Sequence, residues 1–123
     1  PPPSTPLALT PSQLAHFRGI RPKNANSPTL PPAAASLPPK TLLIAVLGSI
    51  FDVTSGARHY GPGQPYHVLT GRDATVALAT GRLGAEAAGG GNLTRAQERT
   101  VRGWREFLGE HYTEVGKLVV EEG

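Results

Sequence analysis

The sequence of 123 residues contains neither cysteine nor methionine. The absence of cysteine excludes disulfide bridges, zinc sites with thiolate ligands and thiolate-ligated haem. Charge of either sign is also sparse, because 12 Lys and Arg residues stand against 9 Asp and Glu residues, for a net charge of +3. Since the basic residues are scattered along the chain, we expect no nucleic-acid partner and no polybasic membrane patch.

Long hydrophobic runs are missing as well. The longest apolar run, residues 42–47 (LLIAVL), is far below the roughly 20 residues that a membrane-spanning helix needs. The sequence begins at Pro1 rather than at methionine, which is typical of a processed or excised product and leaves room for an upstream signal peptide or membrane anchor that has been removed. A chain of 123 residues allows one domain with a modest core and one ligand-sized pocket.

Proline is abundant at the start of the chain and in one internal segment. We expect residues 1–9 to form an N-terminal tail, residues 10–120 to form the domain, and residues 121–123 to form a C-terminal tail. Residues 20–41 are rich in Pro, Ala, Ser and Asn and show little hydrophobic periodicity. They therefore predict a Pro-rich insertion with an extended or mobile conformation.

Local signals in the first half of the domain predict one helix and two strands. Residues 10–13 (TPSQ) form a capping-box pattern with proline at the first helical position, which predicts a helix of about two turns ending at Gly19. Residues 42–47 and 50–53 predict two strands joined by a tight turn at residues 48–49. The nearly continuous apolar character of the first strand predicts that it is buried.

The second half of the chain contains two further helix signals. Residues 70–81 predict a short helix that ends at Gly81. Residues 94–97 (TRAQ) form a second capping box, and apolar side chains then recur at helical spacing, which predicts a helix over residues 95–109. Residues 111–120 predict a loop that leads into a terminal strand. Few helices and few strands around a ligand-rich loop predict an α+β domain.

The ligand-rich loop, residues 59–75 (HYGPGQPYHVLTGRDAT), contains two histidines and two tyrosines. His59 and His67 are eight residues apart, and their spacing matches no zinc or other metal signature. The chain has no Gly-x-Ser-x-Gly nucleophile motif, and Gly61 and Gly63 lack the third glycine of a phosphate-binding loop. Because no base, nucleophile or reductant site can be identified, we do not expect an enzyme.

A flat apolar cofactor such as haem suits this organisation better. Haem needs a crevice between short helices above a small sheet, and one or two axial donors on loops that project into the crevice. Tyrosine is one of the axial donors that proteins use for haem iron. A ferric ion beside a phenol favours its anionic form.

Several spaced blocks follow one another along the chain: residues 50–54 (IFDVT), residues 60–66 (YGPGQPY), residues 71–75 (GRDAT), Trp104 and residues 112–118 (YTEVGKL). In this order they resemble the cytochrome b5-like haem/steroid-binding domain of the membrane-associated progesterone receptor family, which includes neudesin and neuferricin. The resemblance covers nearly the whole predicted domain and is interrupted by the Pro-rich insertion. It implies a cytochrome b5-like fold, in which a small mixed sheet and short helices frame a haem crevice.

The resemblance also implies a set of site residues. Tyr66 matches the tyrosine that ligates haem iron, which implies a single tyrosinate axial ligand and haem b as the cofactor. Tyr60 and Tyr112 match pocket tyrosines, and the latter stands near enough to the ligand to hydrogen-bond to it. His111 departs from the pattern, because progesterone receptor-type members have a lysine at this position. The structural alternative for each tyrosine is an ordinary, partly buried side chain that braces the loop.

The same comparison separates this chain from electron-carrying cytochrome b5. That protein is similar in the strand and helix-entry blocks but has a His-Pro-Gly-Gly loop and a second histidine after the helix entry. The equivalent second position falls near Leu83, and the sequence has no histidine close to it. The resemblance therefore implies no bis-histidine ligation, a low reduction potential and a poor electron shuttle.

For the family, the resemblance implies a regulatory binding partner or a haem carrier. The implied partners are haem, haem monooxygenases or other membrane proteins, and a second copy stacked through an exposed haem face. The implied location is an endomembrane, reached through a segment absent here, or the secreted space. One alternative stays open, because of His111 and the long insertion: a haem-free module on the same fold that binds a protein, a lipid or a steroid.

Overall fold

Four short strands form one mixed β-sheet. In the computed structural model, which describes residues 6–19, 30–82 and 93–119, the strand order is β1-β4-β3-β2. The strands are β1 (Leu7–Leu9), β2 (Leu43–Val46), β3 (Ser49–Asp52) and β4 (Thr113–Leu118). β1 runs parallel to β4, and the other neighbouring pairs are antiparallel.

Short helices connect the strands and cover the sheet. The α-helices of the described residues are α1 (Pro11–Leu14), α2 (Pro32–Ala35), α3 (Ala57–Tyr60), α4 (Thr75–Thr80) and α5 (Arg95–His111). One 3₁₀ turn, Thr54–Gly56, lies directly before α3. A second, His67–Leu69, lies after the loop that follows α3. A mixed sheet covered by short helices confirms the predicted α+β class.

Both predicted capping boxes are present. Thr10 Oγ1 accepts a hydrogen bond from the backbone N–H of Gln13 at 3.3 Å. Thr94 Oγ1 accepts one from Gln97 at 3.1 Å. In each box the glutamine side chain accepts a hydrogen bond from the threonine N–H in return. The predicted end of α4 is also confirmed, since Gly81 adopts the left-handed conformation with φ +76°.

An Asp-x-Thr motif occurs twice and holds both ends of β2. Asp52 Oδ1 accepts hydrogen bonds from the backbone N–H and the hydroxyl of Thr54. Thr54 Oγ1 in turn accepts the backbone N–H of the residue just before β2 at 3.0 Å. Asp73 and Thr75 repeat this arrangement, and Thr75 Oγ1 accepts the N–H of the residue just after β2 at 2.9 Å. The two motifs thus fix both ends of the ligand-rich loop region to β2, the last strand of the sheet.

Apolar side chains pack on both faces of the sheet. The face covered by α3, α4 and α5 buries a cluster that includes Ile44, Val46, Phe51, Val53, Leu69, Val101 and Leu108. The face covered by α1 and α2 buries a second cluster that includes Leu7, Leu9, Leu14, Phe17, Leu43, Ala45 and Ile50. Because both faces are covered, every residue of β2 is buried, which confirms the prediction from its apolar sequence.

The turn between β2 and β3 lies one residue earlier than predicted. Val46 pairs with Ser49, so the two turn residues are Leu47 and Gly48. Their φ angles are +51° and +82°, the signs of a type I′ turn, which matches the twist of the strands it joins. Leucine at the first position is unfavourable, because its Cβ crowds the backbone in the left-handed region. Ser49 consequently becomes the first residue of β3 and is fully buried.

The predicted N-terminal tail contributes a strand to the sheet. Leu7 and Leu9 are buried in β1, although proline-rich composition places both in the tail. Gly116 permits the parallel pairing with β4, since a Cβ at that position would overlap the carbonyl oxygen of Leu7. The assignment of residues 7–9 to a tail is therefore wrong, because these residues pair with β4, a strand near the other end of the chain.

Part of the predicted insertion is packed as well. α2 forms within it and buries Ala34 completely against the sheet. The prediction of an extended or mobile loop is wrong for residues 30–41, because Leu30 and Leu37 also pack against the same core cluster as Ala34. Residues 20–29 lie outside the described residues.

Two predicted helix ends also differ from the structure. α1 has one turn instead of two, because the chain leaves it to bond with the sheet: the Phe17 carbonyl accepts the N–H of Leu43 at 3.0 Å. α5 continues beyond the predicted end at residue 109 and includes His111. The N–H of Tyr112 still bonds to the Leu108 carbonyl at 2.8 Å, so the predicted loop at His111 is the last turn of the helix.

Candidate functional site

The three tyrosines of the chain lie together although they come from distant parts of the sequence. Tyr60 is the last residue of α3, Tyr66 lies in the loop that follows, and Tyr112 directly follows α5. The ring centroid of Tyr60 is 6.0 Å from that of Tyr66 and 6.1 Å from that of Tyr112. These residues, called the tyrosine cluster below, are the three that the sequence analysis assigned to one pocket.

Tyr60 is the buried centre of the tyrosine cluster. Only 6% of the residue is exposed, and its ring meets that of Tyr112 edge to face at 84°. Burial, with smaller contributions from Tyr112 and Tyr66, raises the pKa of Tyr60 to about 12. Because burial disfavours the phenolate, Tyr60 is suited to be a neutral wall of the site and not an anionic ligand.

Tyr66 is the accessible member of the tyrosine cluster. It is 38% exposed, and its ring is inclined by 37° to that of Tyr60. Its backbone is held on both sides, since its N–H donates to the His59 carbonyl at 3.1 Å and its carbonyl accepts the N–H of Leu69 at 3.0 Å. Tyr66 therefore combines a hydrogen-bonded backbone with an exposed residue surface.

Tyr112 is half-buried, and its hydroxyl lies against the backbone at Gly56. A Cβ at Gly56 would overlap this hydroxyl, and it would lie 3.0 Å from the ring Cζ. Gly56 is therefore part of the wall of the site. Sequence reasoning missed this role, because no local signal links a glycine in the 3₁₀ turn after β3 with a tyrosine that follows much later in the chain.

His111 lies next to the tyrosine cluster, at the exposed end of α5. The centroid of its ring is 4.3 Å from that of Phe107. His111 and Tyr112 line one cavity of about 660 Å³ at the end of the sheet where β1 and β4 begin. Tyr60 and Tyr66 are not among the lining residues of this cavity, so Tyr112 stands between the cavity and the rest of the tyrosine cluster.

The two histidines of the loop occupy different environments. His67 Nε2 lies 2.8 Å from the Arg18 carbonyl oxygen, so this nitrogen donates a hydrogen bond to the backbone. His59 is exposed on α3. Within residues 6–19, 30–82 and 93–119, no group of three His, Asp or Glu side chains could hold a metal ion. The position near Leu83, where cytochrome b5 would have its second histidine, lies outside the described residues.

The tyrosine cluster fits haem by the chemistry of its donors. Ferric iron accepts a phenolate oxygen as an axial ligand, and Tyr66 presents an accessible phenol. The buried ring of Tyr60 supplies an apolar surface directly beside that phenol. Covalent attachment of the porphyrin to cysteine is excluded, because the chain has none.

Comparison with known families agrees with this geometry. The family model described as "Cytochrome b5-like Heme/Steroid binding domain" matches residues 34–119, which is well over half of the chain. The chain belongs to this family. The matched region contains β2, β3 and β4, α3 to α5 and the complete tyrosine cluster.

Curated relatives of the family are similar over about two thirds of the chain. Neuferricin from Danio rerio is 41% identical over 83 residues, which are 65% of this chain and 31% of that protein. Membrane-associated progesterone-binding protein 4 from Arabidopsis thaliana is 39% identical over 80 residues, 63% of this chain and 33% of that protein. Human membrane-associated progesterone receptor component 2 is 40% identical over 83 residues, 63% of this chain and 37% of that protein. The chain thus spans about a third of the length of these relatives.

Solved structures show the same fold. A solution structure from Arabidopsis, of a candidate steroid-binding protein, has a TM-score of 0.69 at 26% identity and covers 94% of this chain and 99% of its own. A second Arabidopsis protein, described as having a cytochrome b5 like fold, has a TM-score of 0.68 at 24% identity, covering 95% and 94%. These similarities confirm the cytochrome b5-like fold predicted from the sequence. Within the described residues, no helix is both long and apolar enough to cross a bilayer.

Proposed function

We propose that this domain binds haem b in its ferric state through a single tyrosinate ligand, Tyr66, and acts as a regulatory binding partner or a haem carrier. Membership of the haem/steroid-binding family supports haem as the ligand. The choice of ligand rests on one observation: of the three tyrosines in the cluster, only Tyr66 has an exposed side chain.

The other two tyrosines support this assignment. Tyr60 is buried, and its raised pKa disfavours an anionic oxygen there. The hydroxyl of Tyr112 lies against Gly56 and is directed into the protein at that point. Tyr60 thus provides an apolar wall, Tyr112 braces that wall edge to face, and Tyr66 is the one exposed member of the cluster.

Two properties follow for the bound state. When bound, haem would supply an iron centre, and an anionic oxygen ligand stabilises its ferric over its ferrous form. The reduction potential is then low, which suits a sensor, partner or carrier better than an electron shuttle.

The partners proposed are haem monooxygenases or other membrane proteins, and a second copy of the chain stacked on an exposed haem face.

Titration with ferric haem tests the ligand. We expect wild type to bind haem with the absorption spectrum of a tyrosinate complex, and Tyr66→Phe to lose most of the affinity together with that spectrum. Tyr112→Phe is the matched control, since it removes a phenol oxygen from the same cluster while leaving the proposed ligand in place. Its spectrum should remain that of a tyrosinate complex.

Two results would contradict the assignment. Equal affinity and an unchanged spectrum in Tyr66→Phe would eliminate Tyr66 as the ligand. A low-spin spectrum of two histidines would identify His59 and His67 instead, although His67 would first have to release the Arg18 carbonyl.

The cavity beside Tyr112 favours a second candidate function, a haem-free module that binds a small lipid or steroid. Its volume of about 660 Å³ is within the usual range for ligand pockets of about 300–1,000 Å³. Leu7, Leu43 and Val115 give it an apolar side. Protein produced with haem supplied, yet lacking stoichiometric Soret absorbance while binding progesterone, would support this alternative over haem binding.

A further inference from the structure

A second concave surface lies at the opposite end of the sheet from Tyr112. This cleft of about 410 Å³, called the hairpin cleft below, is lined by Leu47, Ser49, Arg102, Arg105, Glu106 and Lys117. The β2–β3 hairpin, α5 and β4 each contribute part of it. Basic residues that are scattered in the sequence thus meet at one place, contrary to the expectation that no basic patch forms.

A buried hydroxyl organises the cations of the hairpin cleft. Ser49 is fully buried, and its Oγ lies 3.3 Å from Arg105 Nε, 3.0 Å from Arg105 Nη2 and 3.2 Å from Lys117 Nζ. A guanidinium carries five N–H donors, and only two nitrogens of Arg105 face the hydroxyl oxygen of Ser49. The remaining N–H groups of Arg105 can therefore donate to another acceptor. Ser49 therefore holds two cations in position. The Glu114 carboxylate joins this group, because hydrogen bonds from Lys117 and Ser49 lower its pKa, and the nearby charge of Arg105 adds to this effect.

Acidic side chains balance only part of this charge. Lys117 is paired with Glu114 at 2.7 Å, and Glu106 is the single carboxylate that lines the cleft. Among the described residues, Arg102 and Arg105 form no ion pair within 4.0 Å, and the charge of Arg105 acts on Glu114 only from a longer distance. Two such guanidiniums are suited to a phosphate group, which they bind through paired N–H donors.

Leu47 gives the hairpin cleft an apolar edge. Its side chain is 41% exposed, at the tip of the hairpin and in the left-handed conformation with φ +51°. Asparagine or glycine would fit this turn position without the steric cost that leucine has there. An exposed leucine in an unfavourable backbone conformation, directly beside cations, suggests that the side chain serves a contact outside the domain.

We propose that the hairpin cleft docks this domain on an anionic lipid surface. Arg102 and Arg105 bind the phosphate of a lipid headgroup, and Leu47 enters the boundary between headgroups and acyl chains. Charge complementarity argues for this occupant, because the cleft and the whole chain are both positive while the cytoplasmic leaflet is negative. An apolar tip surrounded by cations is the general arrangement of interfacial membrane contacts.

Co-sedimentation with vesicles tests the proposal directly. We expect the wild-type protein to bind vesicles that contain phosphatidylcholine and phosphatidylserine, and to dissociate from them as the salt concentration is raised. It should not bind vesicles of phosphatidylcholine alone. Arg102→Gln should weaken binding about fivefold, the effect of one basic residue near an anionic surface. Leu47→Asn should also weaken it about fivefold, by the loss of partial leucine burial. Because asparagine suits the turn, this variant should remain folded.

Two matched variants separate docking from general effects. Arg58→Gln removes the same charge from α3, and Phe107→Gln removes an exposed apolar side chain from α5 outside the cleft. Both should bind as wild type does. Equal binding by all four variants, or no binding to phosphatidylserine vesicles by wild type, would overturn the proposal. Displacement by inorganic phosphate with no effect of Leu47→Asn would also overturn it, and would identify a site for soluble phosphate.

Discussion

Gly56→Ala is the sharpest stability test of the site, because it introduces one methyl group against Tyr112. The backbone of Gly56, with φ −98° and ψ +29°, is open to alanine, so no strain arises there. Replacing glycine by alanine lowers the conformational entropy of the unfolded chain, which by itself stabilises the protein by about 0.4–1 kcal/mol. The new Cβ overlaps the Tyr112 hydroxyl, however, and overpacking of this kind costs about 1–3 kcal/mol. We expect a net destabilisation of about 1–2 kcal/mol.

A double-mutant cycle with Tyr112→Phe isolates the contact. Without the hydroxyl oxygen, the nearest ring atom is Cζ at 3.0 Å from the Cβ position, a distance that small shifts can relieve. Gly56→Ala should then cost almost nothing in a protein that already carries Tyr112→Phe, which corresponds to a coupling energy of about 1–2 kcal/mol. Urea unfolding followed by fluorescence of Trp104, the single tryptophan, measures each variant.

Gly103→Ala is the control for the glycine substitution itself. No atom lies within 4 Å of its Cβ position inside α5, so this change should stabilise the protein by about 0.5–1 kcal/mol. The reasoning is refuted if Gly56→Ala stabilises as Gly103→Ala does. It is equally refuted if Gly56→Ala costs the same with and without the hydroxyl of Tyr112.

Two further predictions concern the hairpin turn and the buried phenol. Leu47→Asn should raise the free energy of unfolding by about 1 kcal/mol, because asparagine tolerates the left-handed conformation that leucine resists; a lowered Tm would contradict this. The raised pKa of Tyr60 makes the unfolded state bind fewer protons between its ordinary pKa of 10.0 and about 12. Below pH 10.0 the free energy of unfolding should therefore not be reduced by Tyr60. Towards pH 12 it should fall by up to about 1.4 kcal/mol per pH unit. Urea titrations at several alkaline pH values should show this fall in wild type and a smaller one in Tyr60→Phe; an equal fall in both would disprove it.

The elements predicted best are those whose partners are neighbours in the sequence. The capping box of α5 joins Thr94 to Gln97, and α4 ends at Gly81 through its own backbone. The Asp-x-Thr blocks that carry the family resemblance also bond locally, although their attachment to the two ends of β2 becomes visible only in the folded chain. Hydrogen bonds within three or four residues depend little on the rest of the fold, so the residue types predict them.

Burial divides the roles of the tyrosines in a way that residue types do not show. The family resemblance implies one pocket for the three tyrosines. Packing between remote segments makes Tyr60 the buried centre, leaves Tyr66 exposed and directs Tyr112 towards Gly56. The strand Leu7–Leu9 has the same explanation, since its identity depends on a partner at the far end of the chain.

The sequence by itself determined the α+β class, the family and the chemistry available to it, which is oxygen and nitrogen donors without any thiol. It did so because these properties reside in residue types and in contacts between near neighbours. Only the tertiary structure decided that Tyr66 is the exposed tyrosine and that Arg102, Arg105 and Lys117 meet beside Leu47. Exposure and the convergence of charges arise from packing between remote segments, which no local pattern encodes.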